Sequence, residues 1–164
     1  MGGDWLAILQ AATMLVLVHG APILARDLLG RCCAWPVDFG LRLADGRPLL
    51  GHSKTWRGLV SAILSGALFG AWLGIGAGVG AGFGVWAMLG DALSSFVKRR
   101  MGLEPSARFR GLDQWPESLL PLWLLREPLG LDVLDILLAV ALFTLFEWWV
   151  SPLLYRLHLR NRPW

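Results

Sequence analysis

Apolar residues in this chain gather into long runs separated by a few polar, Gly- and Pro-rich segments. The first run, Trp5 to Ala25, is about one span long, since roughly 20 helical residues cross a hydrocarbon core of about 30 Å. Leu59 to Gly90 then holds 32 residues without a charge, which as one helix would be ~48 Å and too long for a single crossing. Gly66, Gly70, Gly74, Gly78 and Gly82 recur every fourth position, and glycines alternate from Gly74 to Gly84. The pattern predicts two helices, one from about Lys54 and one reaching about Arg99, joined by a turn between Gly74 and Gly80. Glycine at every fourth position is also a close-packing face for membrane helices. A short apolar piece, Pro116 to Leu125, predicts a fourth helix. Leu131 to Leu154 predicts a fifth, with Trp148 and Trp149 as interface anchors near its inner end.

Charge orients these helices. Arg26 to Arg57, Lys98 to Arg110 and Arg156 to Arg162 carry nearly all the basic residues and share one side only if the short fourth helix crosses, leaving Arg126 opposite. The expectation is therefore an all-α, polytopic membrane protein with about five transmembrane helices, N-terminus outside and C-terminus cytoplasmic. It forms one integral membrane domain, 1–164, with a structured cytoplasmic loop at 26–57 and a second at 99–115. Within the first loop, Asp45-Gly46 between short apolar pieces predicts a tight hairpin.

Composition agrees: 55% of residues are hydrophobic, 16% are charged and the mean hydropathy is +0.55, far from a soluble globule. The net charge is only +3 and no long charged tail is present, so no nucleic-acid polymer is expected as a partner. The basic C-terminal tail suits anionic headgroups. Cys32 and Cys33 are adjacent, match no metal or redox spacing, and read as reduced thiols. The N-terminus has Asp4 and no basic residue before its apolar run, so a cleaved signal peptide is not expected.

The chain's chemistry concentrates between Gly90 and Gln114. At about 100° per residue, Asp91, Ser94, Ser95 and Lys98 fall on one face of the third helix, while Leu93, Phe96 and Val97 cover the rest. A carboxylate near a bilayer centre costs roughly 2.5–3.5 kcal/mol, so Asp91 is expected to face a wet cavity, a cation or a partner. Lys98, Arg99 and Arg100 alone would suit a plain cytoplasmic anchor, but an anchor needs neither Asp91 nor the serines. Before the second helix, Lys54, Thr55 and the first backbone amides would converge on an anion at the helix start, without the glycine spacing of a nucleotide-binding P-loop. His19 within the first helix reads as a packing residue or a cavity-lining one, and Glu147 as an interface residue or a member of the site.

On this topology the 26–57 loop, Asp91 to Arg100 and Asp113-Gln114 meet at one membrane face. Two carboxylates, hydroxyls, two lysines and several arginines beside a bilayer make a site for a metal-bound polyphosphate, because Mg²⁺ is held by one or two carboxylates plus phosphate oxygens. Phosphoryl or nucleotidyl transfer to a lipid is the reading that these residues support. A small ion channel or transporter built on the Gly-rich helices is the alternative, and an inactive assembly partner a third.

In this order between apolar segments, Gly51, Lys54, Thr55, Trp56, Arg57 and Gly58, then Gly90, Asp91, Ser95, Phe96, Lys98, Arg99 and Arg100, then Asp113 and Gln114, resemble the CDP-archaeol synthase family. The resemblance runs from about Pro36 to Gln114 and resumes at Pro163-Trp164. It implies a Mg²⁺-dependent cytidylyltransferase in which a membrane lipid phosphate attacks the α-phosphate of CTP, giving a CDP-lipid and pyrophosphate. It also implies that Asp91 and Asp113 hold the metal and that Lys54 and Lys98 act beside them. Thr55, Arg57, Ser94, Ser95, Arg99, Arg100 and Gln114 would contact substrate, and Asp38 and Asp45 would match acidic loop positions. His19 and His52 depart from the family pattern, which tends to have Asn at the first and a small or acidic residue at the second. The lipid class stays open among ether-linked, phosphatidate and polyprenyl types, and a homodimer is compatible with the reading.

Overall fold

The computed structural model describes residues 4–104 and 114–156, with side chains as far as Trp149. Asp113, Arg108, Arg110 and the tail beyond Arg156 lie outside the described residues.

Among the described residues six helices succeed one another: α1 (Trp5–Leu29), α2 (Trp56–Trp72), α3 (Ala77–Arg100), α4 (Gln114–Leu124), α5 (Arg126–Leu129) and α6 (Val133–Arg156). Among the described residues there is no strand, and the 30–55 loop holds two isolated bridges, Pro36 with Thr55 and Arg42 with Pro48. The first helix begins at Trp5, as the sequence predicts, and is capped by Asp4, whose carboxylate accepts from the amides of Leu6 and Ala7. It runs four residues past the predicted Ala25, through Asp27. The fourth apolar piece is the eleven-residue α4, and the single turn of α5 follows it. Among the described residues α1 alone is both long and apolar enough to cross a bilayer.

Helix α1 buries Ala7, Ile8, Ala11, Met14, Leu15 and Val18, the i, i+3, i+4, i+7 stripe of a packed face. It lies between α2 and α6, while α3 packs on α2 and on α4. Helix α6 touches α1 and α4 and so closes the ring.

The α2–α3 contact uses Gly66 and Gly70 of the fourfold series on α2, but Gly80 and Gly84 on α3, where Gly78 meets nothing and Gly82 only the Leu125 side chain. A Cβ added at Gly66 would collide with the carbonyl of Gly80, and one at Gly84 would lie 2.6 Å from the Ala62 carbonyl oxygen. The two backbones touch directly, as small-residue membrane packing requires. Gly74 and Gly76, with φ of 77° and 99°, make the turn between them within the predicted interval. A third approach matters for the site: a Cβ at Gly90 would strike the carbonyl of Pro116 and come within 2.7 Å of the Glu117 Cα. Gly90 thus seats the start of α4 beside Asp91.

Candidate functional site

The loop before α2 is braced from inside. Asp38 Oδ2 accepts from the amides of Leu50 (2.9 Å) and Gly51 (3.1 Å), and its Oδ1 from Gly40 (3.0 Å). Partial burial works against the charged form, but these amides outweigh it and hold the Asp38 carboxyl below the usual carboxylate range. The predicted hairpin is present: Leu43 N–H donates to Arg47 O, Gly46 N–H to Leu43 O, and Leu49 N–H to Leu41 O. Its tip is tied to the end of α3. The Arg100 guanidinium donates to Asp45 Oδ2 (2.6 Å) and to the Pro48 carbonyl (2.5 Å), while Arg47 donates back to the Arg100 carbonyl (2.5 Å). The Arg47 amide, then the Arg100 guanidinium, keeps the Asp45 carboxyl low as well.

The braced loop sets the angle at which the chain enters α2. Val37 N–H donates to Lys54 O and Trp56 N–H to Trp35 O, pinning the residues on either side of the helix start. Thr55 caps the helix, its hydroxyl oxygen accepting from Gly58 N–H at 3.2 Å. Lys54 then turns inward, and its Nζ lies 2.5 Å from Asp91 Oδ2. The ion pair sits on a cavity of about 930 Å³, large enough for a nucleotide or a lipid headgroup.

Of the residues singled out in the sequence, Lys54, Thr55, Arg57, Asp91, Ser95, Lys98 and Arg99 line this cavity. Arg57 also donates to the carbonyls of Gly30 (2.8 Å) and Cys32 (2.9 Å), joining the end of α1 to the start of α2. Arg99 donates to the Glu104 carbonyl at 2.6 Å. Ser94 is buried and donates to the Asp91 carbonyl (2.9 Å), so its hydroxyl serves its own helix. Asp38, Asp45 and Arg100 belong to the loop brace, outside the cavity lining. Gln114 is buried beneath it, donating to Glu147 Oε2 at 3.2 Å. Asp113 is outside the described residues. Asp91 pairs with Lys54, 37 positions earlier, rather than with Lys98 two turns along its own helix.

Three titratable residues that the sequence pattern undervalues also line the cavity: His19, Glu147 and Glu117. The pattern leaves His19 and Glu147 open to packing and interface roles, and it does not single out Glu117. A common depth is the signal that finds two of them. His19 and Asp91 lie ten and nine residues before the last residues of α1 and α3, about 14 Å below the helix ends, and Glu147 lies nine before Arg156, the last described residue of α6. Beyond that layer, toward the start of α1, Ile8, Ala11, Met14 and Leu15 are fully buried. This apolar packing disfavours a conducting path.

Among the described residues no three His, Cys, Asp or Glu side chains form a metal cage. Mg²⁺ does not need one, because it keeps waters and takes phosphate oxygens beside one or two carboxylates. Asp91, set among Lys54, Arg57, Lys98 and Arg99, fits that donor set.

Similarity to known proteins identifies the family. The family model CarS-like CDP-archaeol synthase matches residues 22–79 and 75–164. A CDP-archaeol synthase of Methanopyrus kandleri is 40% identical over 141 residues, covering 79% of each chain. One of Pyrococcus furiosus is 31% identical over 139 residues, covering 79% of this chain and 83% of its own. A solved structure described as an intramembrane enzyme for archaeal membrane lipid biosynthesis superposes with a TM-score of 0.70 at 29% identity, covering 85% of this chain and 92% of that one. The chain is a member of the CDP-archaeol synthase family.

Proposed function

We propose that this chain transfers CMP from CTP to the phosphate of a membrane lipid, with Mg²⁺, giving a CDP-lipid and pyrophosphate. The observation that carries the reading is the Lys54–Asp91 pair at 2.5 Å on a large cavity lined by further cations, in a member of the CDP-archaeol synthase family. Lys54, Arg57, Lys98 and Arg99 bind and orient the polyphosphate, and their charges oppose the negative charge that builds up in the transition state. Asp91, with Asp113 as its partner, would hold the divalent ion. When bound, that ion neutralises phosphate charge and polarises the α-phosphate. Val16, Ile23, Leu59 and Phe146 give the cavity an apolar side, suited to the part of a lipid next to its headgroup.

The one-sided Arg and Lys distribution supports a reaction at the cytoplasmic face of the cell membrane, with five crossings and the N-terminus outside. Mass spectrometry of CDP-lipids after incubating the purified full-length protein with CTP, Mg²⁺ and a panel of phosphatidate, archaetidic-type and polyprenyl phosphates tests it. A CDP-lipid from at least one of these, dependent on Mg²⁺, is expected. Absence of any such product from folded protein would overturn the proposal.

A further inference from the structure

Phosphate binding and metal holding leave one pair of reactive side chains without a task, the thiols of Cys32 and Cys33. They are the chain's two cysteines, both exposed just past the end of α1, and their sulfurs lie 3.3 Å apart. Adjacency alone does not bring two thiols together, because neighbouring side chains in an extended stretch point to opposite faces. Here the backbone turns. Gly30 ends the helix with a φ of 55°, the Cys32 N–H donates to the Leu29 carbonyl at 2.9 Å, and Cys33 has a φ of 53°, a left-handed conformation uncommon outside glycine. Within this turn the two sulfurs are in contact.

The turn is tied to the cavity. Arg57 donates through Nη1 to the carbonyls of Gly30 (2.8 Å) and Cys32 (2.9 Å), and Arg57 lines the cavity. Its Nε is buried without a hydrogen-bond partner, so the two carbonyls of the turn are what orient the guanidinium. On the far side of the cysteines, Ala34 lines the cavity as well, and the Trp35 carbonyl accepts from the Trp56 N–H at 3.0 Å. The Cys32–Cys33 peptide thus lies between two ties to the start of α2.

We propose that Cys32 and Cys33 are a reversible redox modification site, closing to an internal disulfide by exchange with a small-molecule disulfide and thereby displacing Arg57 from the nucleotide. One cysteine thiolate attacks the small disulfide, forming a mixed disulfide and releasing one thiol. The other cysteine attacks the protein sulfur of that bond, closes the ring and releases the second thiol, so two electrons and the two thiol protons pass to the oxidant. An accessible thiol with a resolving cysteine beside it is the arrangement of redox-sensing sites. The ring contains the Cys32–Cys33 peptide, whose Cys32 carbonyl Arg57 holds. Drawing the sulfurs together from 3.3 Å turns that peptide and takes the carbonyl from Arg57. An exposed, strained disulfide is of the labile kind, which a reducing compartment reopens. The consequence for CTP rests on the cytidylyl-transfer reading above; ring closure and its link to Arg57 do not.

The test equilibrates the full-length protein in detergent with glutathione and glutathione disulfide, then alkylates and weighs it by mass spectrometry. The wild type should lose two hydrogens and both alkylation sites, and neither Cys32→Ser nor Cys33→Ser should form the ring. Because the Arg57 contact holds the open form, Arg57→Ala should shift the equilibrium toward the ring by about threefold to tenfold. If that variant does not extract as folded protein, Arg57→Lys replaces it, with a shift in the same direction. Turnover by the reduced protein should be equal in the wild type and the double serine variant. Oxidation should raise the KM for CTP about tenfold in the wild type alone, reversibly with dithiothreitol. Mixed disulfides, disulfides between copies or unreacted thiols in place of the ring would overturn the site. A ring whose equilibrium ignores Arg57, or whose closure leaves KM unchanged, would overturn its link to the cavity. A reduced wild type silent with CTP would bring down the transfer reading alone, and the Arg57 variant's equilibrium would then decide this one.

Discussion

Lys54 Nζ and Asp91 Oδ2 are 2.5 Å apart, so the cation that opens α2 and the carboxylate within α3 serve as each other's counter-ion. Both are partly buried, with side chains 21% and 24% exposed, so screening by water is incomplete. A metal-bound triphosphate offers each a new partner at once: phosphate for Lys54, a divalent ion for Asp91. Nucleotide alone or metal alone must break the pair and leave one member uncompensated.

CTP and Mg²⁺ should therefore bind with positive coupling, each tightening the other, and removing either partner should weaken that coupling. Asp91→Asn is expected to extract as folded protein and to lose roughly 10²–10³ in turnover. Lys54→Ala should cost more than Lys54→Arg, since Arg keeps the charge but alters its geometry. In a double-mutant cycle the two sites should couple by roughly 0.5–3 kcal/mol, because they share one interaction. Titrating CTP with and without Mg²⁺ by calorimetry checks this; additive mutants and independent binding would refute the exchange.

The glycine at position 90 sets up a second expectation. Its missing side chain lets Pro116 and Glu117 press on α3 one residue before Asp91. Gly90→Ala should force the helices apart, costing about 1–3 kcal/mol as overpacking does, and should lower activity beyond the stability loss because Glu117 moves with α4. Gly78→Ala is the control. It lies in α3 with nothing within 4 Å of an added Cβ, and the substitution should be neutral or slightly stabilising. Thermal unfolding in detergent, read beside turnover, separates the two; equal behaviour of the variants would deny the close approach a special role.

How legible this site is in the sequence depends on the range of each contact. The turn at Gly74–Gly76 arises from local spacing, so the sequence pattern predicts it directly, while the fourfold series finds Gly66 and Gly70 on α2 but misses Gly80 and Gly84, which the turn brings opposite them. The Asp91, Ser95, Lys98 stripe is likewise a matter of helical period. The partner of Asp91 is not legible, because Lys98 is nearer along the chain and only the braced loop brings Lys54 within reach. Ser94 shares the polar stripe yet turns its hydroxyl to its own backbone, a choice that periodicity does not resolve. Glu117 escapes notice because Gly90, on another helix, is what seats it beside the cavity. Asp38 and Asp45 stand out as acidic, and the structure gives both of them backbone amides of their own loop.

Asp38 carries a pH dependence with a definite sign. Its carboxyl is held below the ordinary carboxylate value of about 3.9 by the amides of Leu50, Gly40 and Gly51, against some opposition from burial. A depressed folded value means that its contribution to loop stability is fully present above that ordinary value and is lost as pH falls through the lower folded one. The 30–55 loop should thus resist proteolysis from neutral pH down to mild acid and open below it. Asp38→Asn should leave the loop cleavable already at neutral pH, whereas Asp45→Ala, at an exposed ion pair, should change it little. Digestion with trypsin, which can cut at Arg42 and Arg47, reads the difference; equal protection of the wild type and Asp38→Asn would count against Asp38 as the brace.

The shared face of the site depends finally on topology, and the two native thiols make that testable. Cys32 and Cys33 are free and exposed, side by side with sulfurs 3.3 Å apart, so both must be changed to Ser before single cysteines can report. Arg57 takes the Cys32 carbonyl rather than its thiol, so this background should keep the α1–α2 junction and near wild-type activity. On it, cysteines placed at Asp4 and Gly130 should react with an impermeant maleimide from outside intact cells. Those at Gly46, Glu104 and Asn161 should react only after permeabilisation. The measurement is sharpest at Gly130 and Asn161, because α4 and α5 together hold only fifteen helical residues, about 22 Å, and must cross with little tilt or in thinned lipid. Labelling of Asn161 from outside would mean that the α4–α5 segment does not cross. Helix α6 would then run the other way, Glu147 could not stand at the depth of Asp91 and His19, and the five-crossing arrangement would fall.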